Sequence, residues 1–413
     1  MPGLFLFRSR SQREGPFPCR IALQPTAFAG FASTISLELG HSFPRCSAVR
    51  FLMLNWRDPR NPLAGGAERV TLAYLAALVR RGHESWWFAN DFPGAAREEV
   101  VDGVRIVRGG NRFTSWLAAR RWCRRQPRFD LVVDQHHGIP WFAPWWCGTH
   151  CAAYIHEVLG PIWKSFYPWP ISALGQSQER WTHWGYRRVP FFTASQFTKE
   201  ELLRRGVRDV TIIPYGVATV ALPELDEKPL VEPLRLAIVS RLAPNKRIDH
   251  ALRAVRRLVD EGVKAELTIV GAGECEAELK CLAAELRVES CIHFAGALPE
   301  HEKNDLLRRA HFLLHTSLRE GWGLNVIEAN AMGTPAVVYP VAGLVESTLH
   351  EQTGLVAEAE TPEALATSLV ASLKRAEAYQ SWRRAAWLRA ETFHWDEVLP
   401  RACDWLESQA GRK

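Results

Sequence analysis

The chain has 413 residues, 47% of them apolar and 23% charged, with a formal net charge of +6. That size accommodates two domains of ordinary dimensions, and the balance is that of a folded globular chain, which excludes intrinsic disorder as the main character. Residues 1–50 hold six Arg against two Glu, so the rest is close to neutral and bulk charge offers no nucleic-acid-binding face. No uninterrupted apolar run reaches the ~18 residues of a membrane-spanning helix. The nine cysteines include no Cys-x-x-Cys pair and no recurring spacing. They read as reduced thiols in a reducing compartment, without a structural zinc.

Residues 1–48 are rich in Arg and Ser, poor in acids and without periodicity. A transit peptide has this composition, as does upstream sequence translated from an early start codon. Met53, at the head of a strand-like run, favours the second origin. The segment is expected to be poorly ordered and to carry no chemistry.

From Val49 short apolar strands alternate with amphipathic helices. Strand Val49–Trp56 leads through a Pro/Gly loop containing Gly65-Gly66 to a helix over Glu68–Arg81. Strands follow at Glu84–Ala89, Val104–Arg108, Asp130–Asp134, Cys151–His156, Phe191–Ala194 and Val210–Pro214. Residues 218–233 contain three prolines and no helical period, and read as an interdomain linker. A second series begins with strand Leu234–Ser240, helix Arg247–Glu261 and strand Ala265–Val270. It continues with strands Cys291–Phe294, Ala310–Thr316 and Pro335–Tyr339. Helices close the chain at about 362–377, 379–391 and 395–408. Repeated βα units imply parallel sheets covered on both faces. The predicted class is α/β, with two Rossmann-like parallel-sheet domains, 49–217 and 234–392, facing across a cleft. A C-terminal helix, 393–413, is expected to cross back to the first domain.

Chemistry-bearing residues sit where these strands end, the place where open α/β sheets bind ligands. Gly65-Gly66-Ala67-Glu68 opens the first helix and allows close backbone approach. Tyr154-Ile155-His156-Glu157 places a His at a strand end facing the partner domain. Ser240-Arg241-Leu-Ala-Pro-Asn-Lys246 carries a guanidinium and an ammonium five residues apart on one loop, a pair able to clamp a pyrophosphate and stabilise it as it departs. Val270-Gly271-Ala272-Gly273 is a tight turn or a close-approach loop; Gly-x-Gly alone does not decide between them. The most informative segment is Glu320-Gly-Trp-Gly-Leu-Asn-Val-Ile-Glu328. Strand, Gly-rich loop and helix in that order present bare helix N–H groups to an anion. Two carboxylates flank that anion site, Glu320 on the loop and Glu328 on the helix. A ligand combining a pyrophosphate with sugar hydroxyls, a nucleotide sugar, satisfies all of these groups.

Taken with Thr193-Ala-Ser195 and Ile213-Pro-Tyr-Gly216-Val, these motifs stand in the order found in glycosyltransferase family 4, whose members have the two-Rossmann GT-B fold. The chain resembles that family over residues 49–408. The resemblance implies that Arg241 and Lys246 bind the donor diphosphate, that Glu320 binds hydroxyls of the transferred sugar, and that backbone around Gly323-Leu324 holds phosphate. It assigns Glu328 to the ribose, His156 to the donor sugar near the reacting carbon, and Gly65, Gly66, Gly216, Gly271 and Gly273 to the donor site. It further implies retention of anomeric configuration without a cofactor or metal, and the sequence offers no Asp-x-Asp motif to hold a cation. One departure stands out. Where the family reads Pro-Asn-Gly-Val-Asp, this chain reads Pro214-Tyr-Gly-Val-Ala218, and any polar role at 215 or 218 is expected to be lost.

Residues 141–192 are conspicuously aromatic, with arginines interleaved. Trp163, Trp181, Trp184, Arg187 and Arg188 are the candidate contacts for a carbohydrate or an anionic membrane surface, with core packing as the alternative. The expected partners are a UDP- or GDP-sugar and a glycan or lipid-linked acceptor, with no nucleic acid. The expected location is cytoplasmic, with transient attachment to the inner membrane face. A nucleotide-sugar 2-epimerase and a non-catalytic nucleotide-sugar-binding protein remain as alternatives.

Overall fold

The structure, a computed structural model, describes residues 48–136, 138–160 and 163–412. The extension expected at 1–48 lies outside them apart from Ala48.

The first domain is built on β1 (Arg50–Leu54), β2 (Glu84–Ala89), β3 (Glu98–Val101), β4 (Val104–Arg108), β5 (Leu131–Gln135), β6 (His150–Tyr154), β7 (Phe191–Thr193) and β8 (Val210–Ile212). They order as β3-β4-β2-β1-β5-β6-β7-β8. Every pairing is parallel except β3 with β4. That hairpin departs from the all-parallel expectation. Asp102 and Gly103 both take positive φ, 50° and 81°, the type I′ geometry that matches the twist of a two-residue hairpin. The strand was hidden because its outer face carries Glu98 and Val100 at a solvent-facing edge.

The second domain uses β9 (Leu234–Val239), β10 (Ala265–Val270), β11 (Ile292–Gly296), β12 (Phe312–His315), β13 (Ala336–Val338) and β14 (Gly354–Val356), in the order β11-β10-β9-β12-β13-β14. All its pairs are parallel, giving the doubly wound order whose direction reverses beside the first strand. The reversal falls between β1 and β5 in one sheet and between β9 and β12 in the other.

Burial explains why these segments are strands. On β1, Phe51 and Met53 enter the large core shared with α1 (Gly66–Arg80), while Leu52 and Leu54 enter a second cluster with Phe88, Phe129 and Trp141 on the other face. A strand apolar on both faces is the mark of a covered parallel sheet. Helix α6 (Ile248–Asp260) buries Ile248, Ala251, Leu252, Val255 and Leu258, the three-to-four spacing of a core-facing stripe.

The chain crosses between the domains twice. After β8, residues 218–233 do not hang loose. Lys228, buried, donates to Arg308 O, Ala310 O and Thr334 Oγ1 at 2.8–2.9 Å, and Trp387 Nε1 donates to Leu222 O at 2.8 Å. The return follows α12 (Ala376–Glu391), where Val217 N donates to Phe393 O at 2.9 Å and the chain enters α13 (Trp395–Ala410). Helix α13 packs on α1, β5 and β6 of the first domain. Its Trp405 Nε1 donates to Thr211 Oγ1 at 3.0 Å, and Asp404 and Glu407 pair with Arg81.

Candidate active site

A cavity of about 270 Å³ lies between the domains. Its walls come from loops at the carboxyl ends of both sheets: Asn55, Trp56 and Arg57 after β1, Gln135 at the end of β5, and His156 and Glu157 after β6. Tyr215 after β8 and the Glu320–Leu324 loop after β12 complete it.

Each wall has a local cause. Glu68 is buried and closes a capping box on α1, accepting from Gly65 N at 2.7 Å, while its other oxygen accepts from Arg57 Nε at 3.0 Å. Arg57 also lies over the Trp56 ring, 4.2 Å from its centroid. From the second domain, Thr316 Oγ1 lies 2.9 Å from both Lys246 O and Arg247 O, and Leu318 N donates to Asn245 O at 2.8 Å. The Lys246 loop and the Glu320 loop therefore form one rigid unit. Lys246 Nζ lies 2.7 Å from Glu320 Oε2, with His315 Nε2 3.5 Å from the same oxygen. Burial opposes ionisation of Glu320, but the Lys246 ammonium together with His315 and the hydrogen bonds from Lys246 and Ser317 outweighs it, and the carboxyl is held below the ordinary carboxylate range. Burial pushes His315 down to about 4, so it is neutral near pH 7.

Helix α9 (Leu324–Ala331) starts at the cavity. Gly323 caps it with φ 82° and no side chain closes its first turn, so its unbonded N–H groups and positive dipole end face the space where an anion would sit. Asn325 Nδ2 donates to Val239 O at 2.8 Å, tying the helix to the end of β9. Glu328 stands one turn further on and is held by Lys303 at 2.9 Å, away from the cavity wall.

His156 is held at both ring nitrogens: Gln135 Nε2 is 2.8 Å from Nε2, and the Tyr215 hydroxyl bonds Nδ1. The loss of a polar role expected at 215 is thus corrected, because a phenol does there what the sequence pattern gave no reason to foresee.

Of the sequence-predicted residues, His156, Glu320, Gly66, Gly323 and Leu324 line the cavity, with Lys246 on Glu320. Arg241 is exposed, without a side-chain partner among the described residues. Gly65 caps α1 behind the wall. The other three glycines are not among the residues lining the cavity and sit at close packing approaches. A Cβ on Gly271 would lie 2.9 Å from Ser240 C, and one on Gly273 2.7 Å from Leu242 C, so both allow the Arg241 loop to approach backbone closely. A Cβ on Gly216 would enter the Trp395 indole at 2.5–2.6 Å. Ring proximity across a domain crossing leaves no local sequence signal.

The aromatic segment divides. Trp141 and Tyr186 are core residues arranged around buried Asp134, which accepts from Trp141 N at 3.1 Å and from the Tyr186 hydroxyl at 2.5 Å. Trp163 packs in the space left by Gly175, where a Cβ would come within 2.8 Å of its Cζ3. Trp181 and Trp184 are 69% and 56% exposed on α4 (Ile171–Gly185), and Arg187 covers the Trp184 ring. Arg188 is exposed beside them. None of these five lines the cavity. Among the lining residues not predicted as site residues are Asn55, Trp56, Arg57, Gln135, Glu157 and Tyr215, all within three residues of a strand end, where the switch-point rule points. A neighbouring groove of about 390 Å³ shares Trp56 and Arg57 and continues over Asn61, Asn90, Asn111 and Phe113. Asn90 is 8% exposed and its Oδ1 has no hydrogen-bond partner among the described residues.

Two family models match in succession: one described as Glycosyltransferase Family 4 over residues 64–220, and one described as Glycosyl transferases group 1 over residues 225–389. Glycogen synthase of Mycobacterium tuberculosis is 27% identical over 385 residues, 85% of this chain and 92% of that protein. A GDP-mannose-dependent α-(1-6)-phosphatidylinositol dimannoside mannosyltransferase of the same species is 31% identical over 210 residues, 49% of this chain and 53% of that protein. Among solved structures, sucrose-phosphate synthase from Thermosynechococcus elongatus superposes with a TM-score of 0.69 at 18% identity, over 87% of this chain and 98% of that one. HepE of Anabaena in complex with UDP and glucose gives 0.66 at 16% identity, over 87% and 100%. With both halves matched in sequence and the whole architecture matched in structure, the chain belongs to glycosyltransferase family 4 and is a glycosyltransferase of GT-B fold.

Proposed function

We propose that this protein is a retaining hexosyltransferase that moves a hexose from a UDP- or GDP-sugar to a glycan or lipid-linked acceptor in cell-envelope or exopolysaccharide synthesis. The observation that carries the reading is the cavity itself, where an uncapped helix N-terminus, the Glu320–Lys246 pair and His156 converge from two sheets. An anion-binding helix end beside an ionised carboxylate suits a ligand that carries both phosphate and hydroxyls. Relatives support these two nucleotides: HepE was solved with UDP and glucose, and the mannosyltransferase is GDP-mannose-dependent.

In this reading Arg241 and Lys246 take the diphosphate, α9 N–H groups its terminal oxygens, Glu320 the sugar hydroxyls and Glu328 the ribose, exchanging its contact with Lys303. The acceptor hydroxyl bonds to the anomeric carbon on the face the diphosphate leaves, and its proton passes to the departing phosphate oxygen. Lys246 and Arg241 stabilise the charge that accumulates there. The Trp56–Phe113 groove, with amides beside exposed rings, offers hydrogen bonds and a stacking surface to an acceptor sugar. The reaction needs no divalent metal, and full turnover in EDTA is expected.

No helix among the described residues is long and apolar enough to cross a membrane. The outer face of α4, with Ile171, Leu174, Trp181 and Trp184 exposed beside Arg180, Arg187 and Arg188, supports docking on an anionic bilayer. Failure to pellet with anionic vesicles, together with full turnover on a soluble acceptor, would remove the lipid surface from the reading.

The test of the whole is a thermal-shift screen against UDP, GDP and their common sugar conjugates without metal. Stabilisation by one nucleotide series, reduced in Arg241→Ala, is the expected result. No shift with any of them would overturn the donor assignment. Conversion of a bound donor without any acceptor would point instead to a 2-epimerase.

A further inference from the structure

We propose that Tyr215 is a positioning residue that sets the orientation and tautomer of His156, and that the domain crossover holds it in place to do so. The inference rests on the reading of His156 as a group that touches the donor sugar.

The geometry has three parts. First, both nitrogens of the His156 ring face neutral partners, the Gln135 amide at Nε2 and the Tyr215 phenol at Nδ1. Gln135 Oε1 lies 2.9 Å from Thr71 Oγ1, a hydroxyl that also reaches Ala67 O at 3.0 Å. The Gln135 amide nitrogen is the atom turned to His156, 2.8 Å from Nε2, and in that orientation it donates. An Nε2 that accepts leaves the proton on Nδ1, which donates to the Tyr215 oxygen. Gln135 and Tyr215 thus select one tautomer from opposite edges of the ring. Second, burial pushes the Tyr215 hydroxyl well above its ordinary range, so it remains a neutral phenol that accepts without introducing charge. Third, Tyr215 is itself fixed from behind. Tyr74 donates to Pro214 O at 3.2 Å, Gly216 opens the space that Trp395 fills, and Val217 N and O bond Phe393 O and Trp395 N at 2.9 and 3.3 Å. The segment at which the chain re-enters the first domain is the one that holds the phenol against His156. An Asn, the residue at this place in the family pattern, has a shorter side chain and no such reach.

The experiment is a double-mutant cycle on the full-length protein, with turnover measured in every variant. Tyr215→Phe keeps the ring and removes only the hydroxyl, so folding is preserved and a thermal melt checks it. Loss of one hydrogen bond to an oriented group is expected to lower kcat about 10-fold, with little change in donor KM. His156→Ala should lower kcat further, and Tyr215→Phe in that background should have no additional effect. Independently of activity, 15N-labelled histidine spectra should show the His156 signals moving from the Nδ1–H pattern toward a mixture in Tyr215→Phe. An equal loss in the presence and absence of His156, or unaltered His156 signals, would make Tyr215 a structural residue and overturn the proposal. Wild-type turnover in His156→Ala would overturn it through the underlying role of His156, while nucleotide-induced thermal shifts, if retained, would leave the donor reading standing.

Discussion

Gly216 discriminates between a ligand-binding and an architectural role. A Cβ there would lie 2.5 and 2.6 Å from Trp395 Cζ3 and Cδ2, and closer still to Cε3, whereas real carbon contacts lie beyond 3 Å. In Gly216→Ala the indole must retreat by roughly 1 Å, out of its edge-on contact with Tyr74 at 6.2 Å. Overpacking of this kind costs about 1–3 kcal/mol. Gly216 does not have a left-handed φ, so no backbone strain adds to this, and the reduced freedom of the unfolded chain returns about 0.4–1 kcal/mol. The net expectation is destabilisation of about 1–2 kcal/mol, read by urea unfolding. Because Tyr215 is the adjacent residue, kcat should fall as well. Trp395→Leu, which removes the obstructing ring, should make the added methyl nearly neutral in the double variant. A Gly216→Ala protein with unchanged stability and a raised donor KM would refute the packing argument and support the donor-site role expected for Gly216.

Glu320→Gln removes the charge that Lys246 holds at 2.7 Å. If its bonds to the sugar tighten in the transition state, kcat should fall about 10²–10³-fold, and unchanged turnover would take Glu320 out of the mechanism. Lys228→Met should cost about 2–4 kcal/mol, because two buried acceptors, Ala310 O and Thr334 Oγ1, and the part-buried Arg308 O lose this donor. An unfolding curve that overlays the wild type would show that the linker is not held there. His183, His311 and His315 are buried, and burial pushes them down to about 3, 4 and 4. Their folded values lie below the unfolded value near 6.5, so each stabilises the fold above that pH, and the contribution is lost as pH falls through the folded value. Stability should decline on acidification from about pH 6.5, with a slope of up to about 1.4 kcal/mol per pH unit for each histidine. Denaturant midpoints independent of pH between 6.5 and 4 would contradict this.

The alternation of short two-sided apolar runs with amphipathic helices is enough to write down two parallel sheets, because a strand buried on both faces and a helix with one apolar stripe leave few other ways to pack. Strands such as Glu84–Ala89 and Ala265–Val270 were readable to the residue, and so was the Gly-rich turn that leads from β12 into α9. These are local features, carried by spacing along the chain. What the tertiary structure decided is which strand ends meet. Arg57 on Glu68, Gln135 and Tyr215 on His156, and Trp395 against Gly216 are 11, 21, 59 and 179 residues apart in sequence, and a contact of that range depends on sheet order, not on any nearby pattern. The same limit governed the aromatic segment. Trp141 and Trp181 are equally apolar on paper, and only the course of α4 relative to the sheet buries the first and exposes the second.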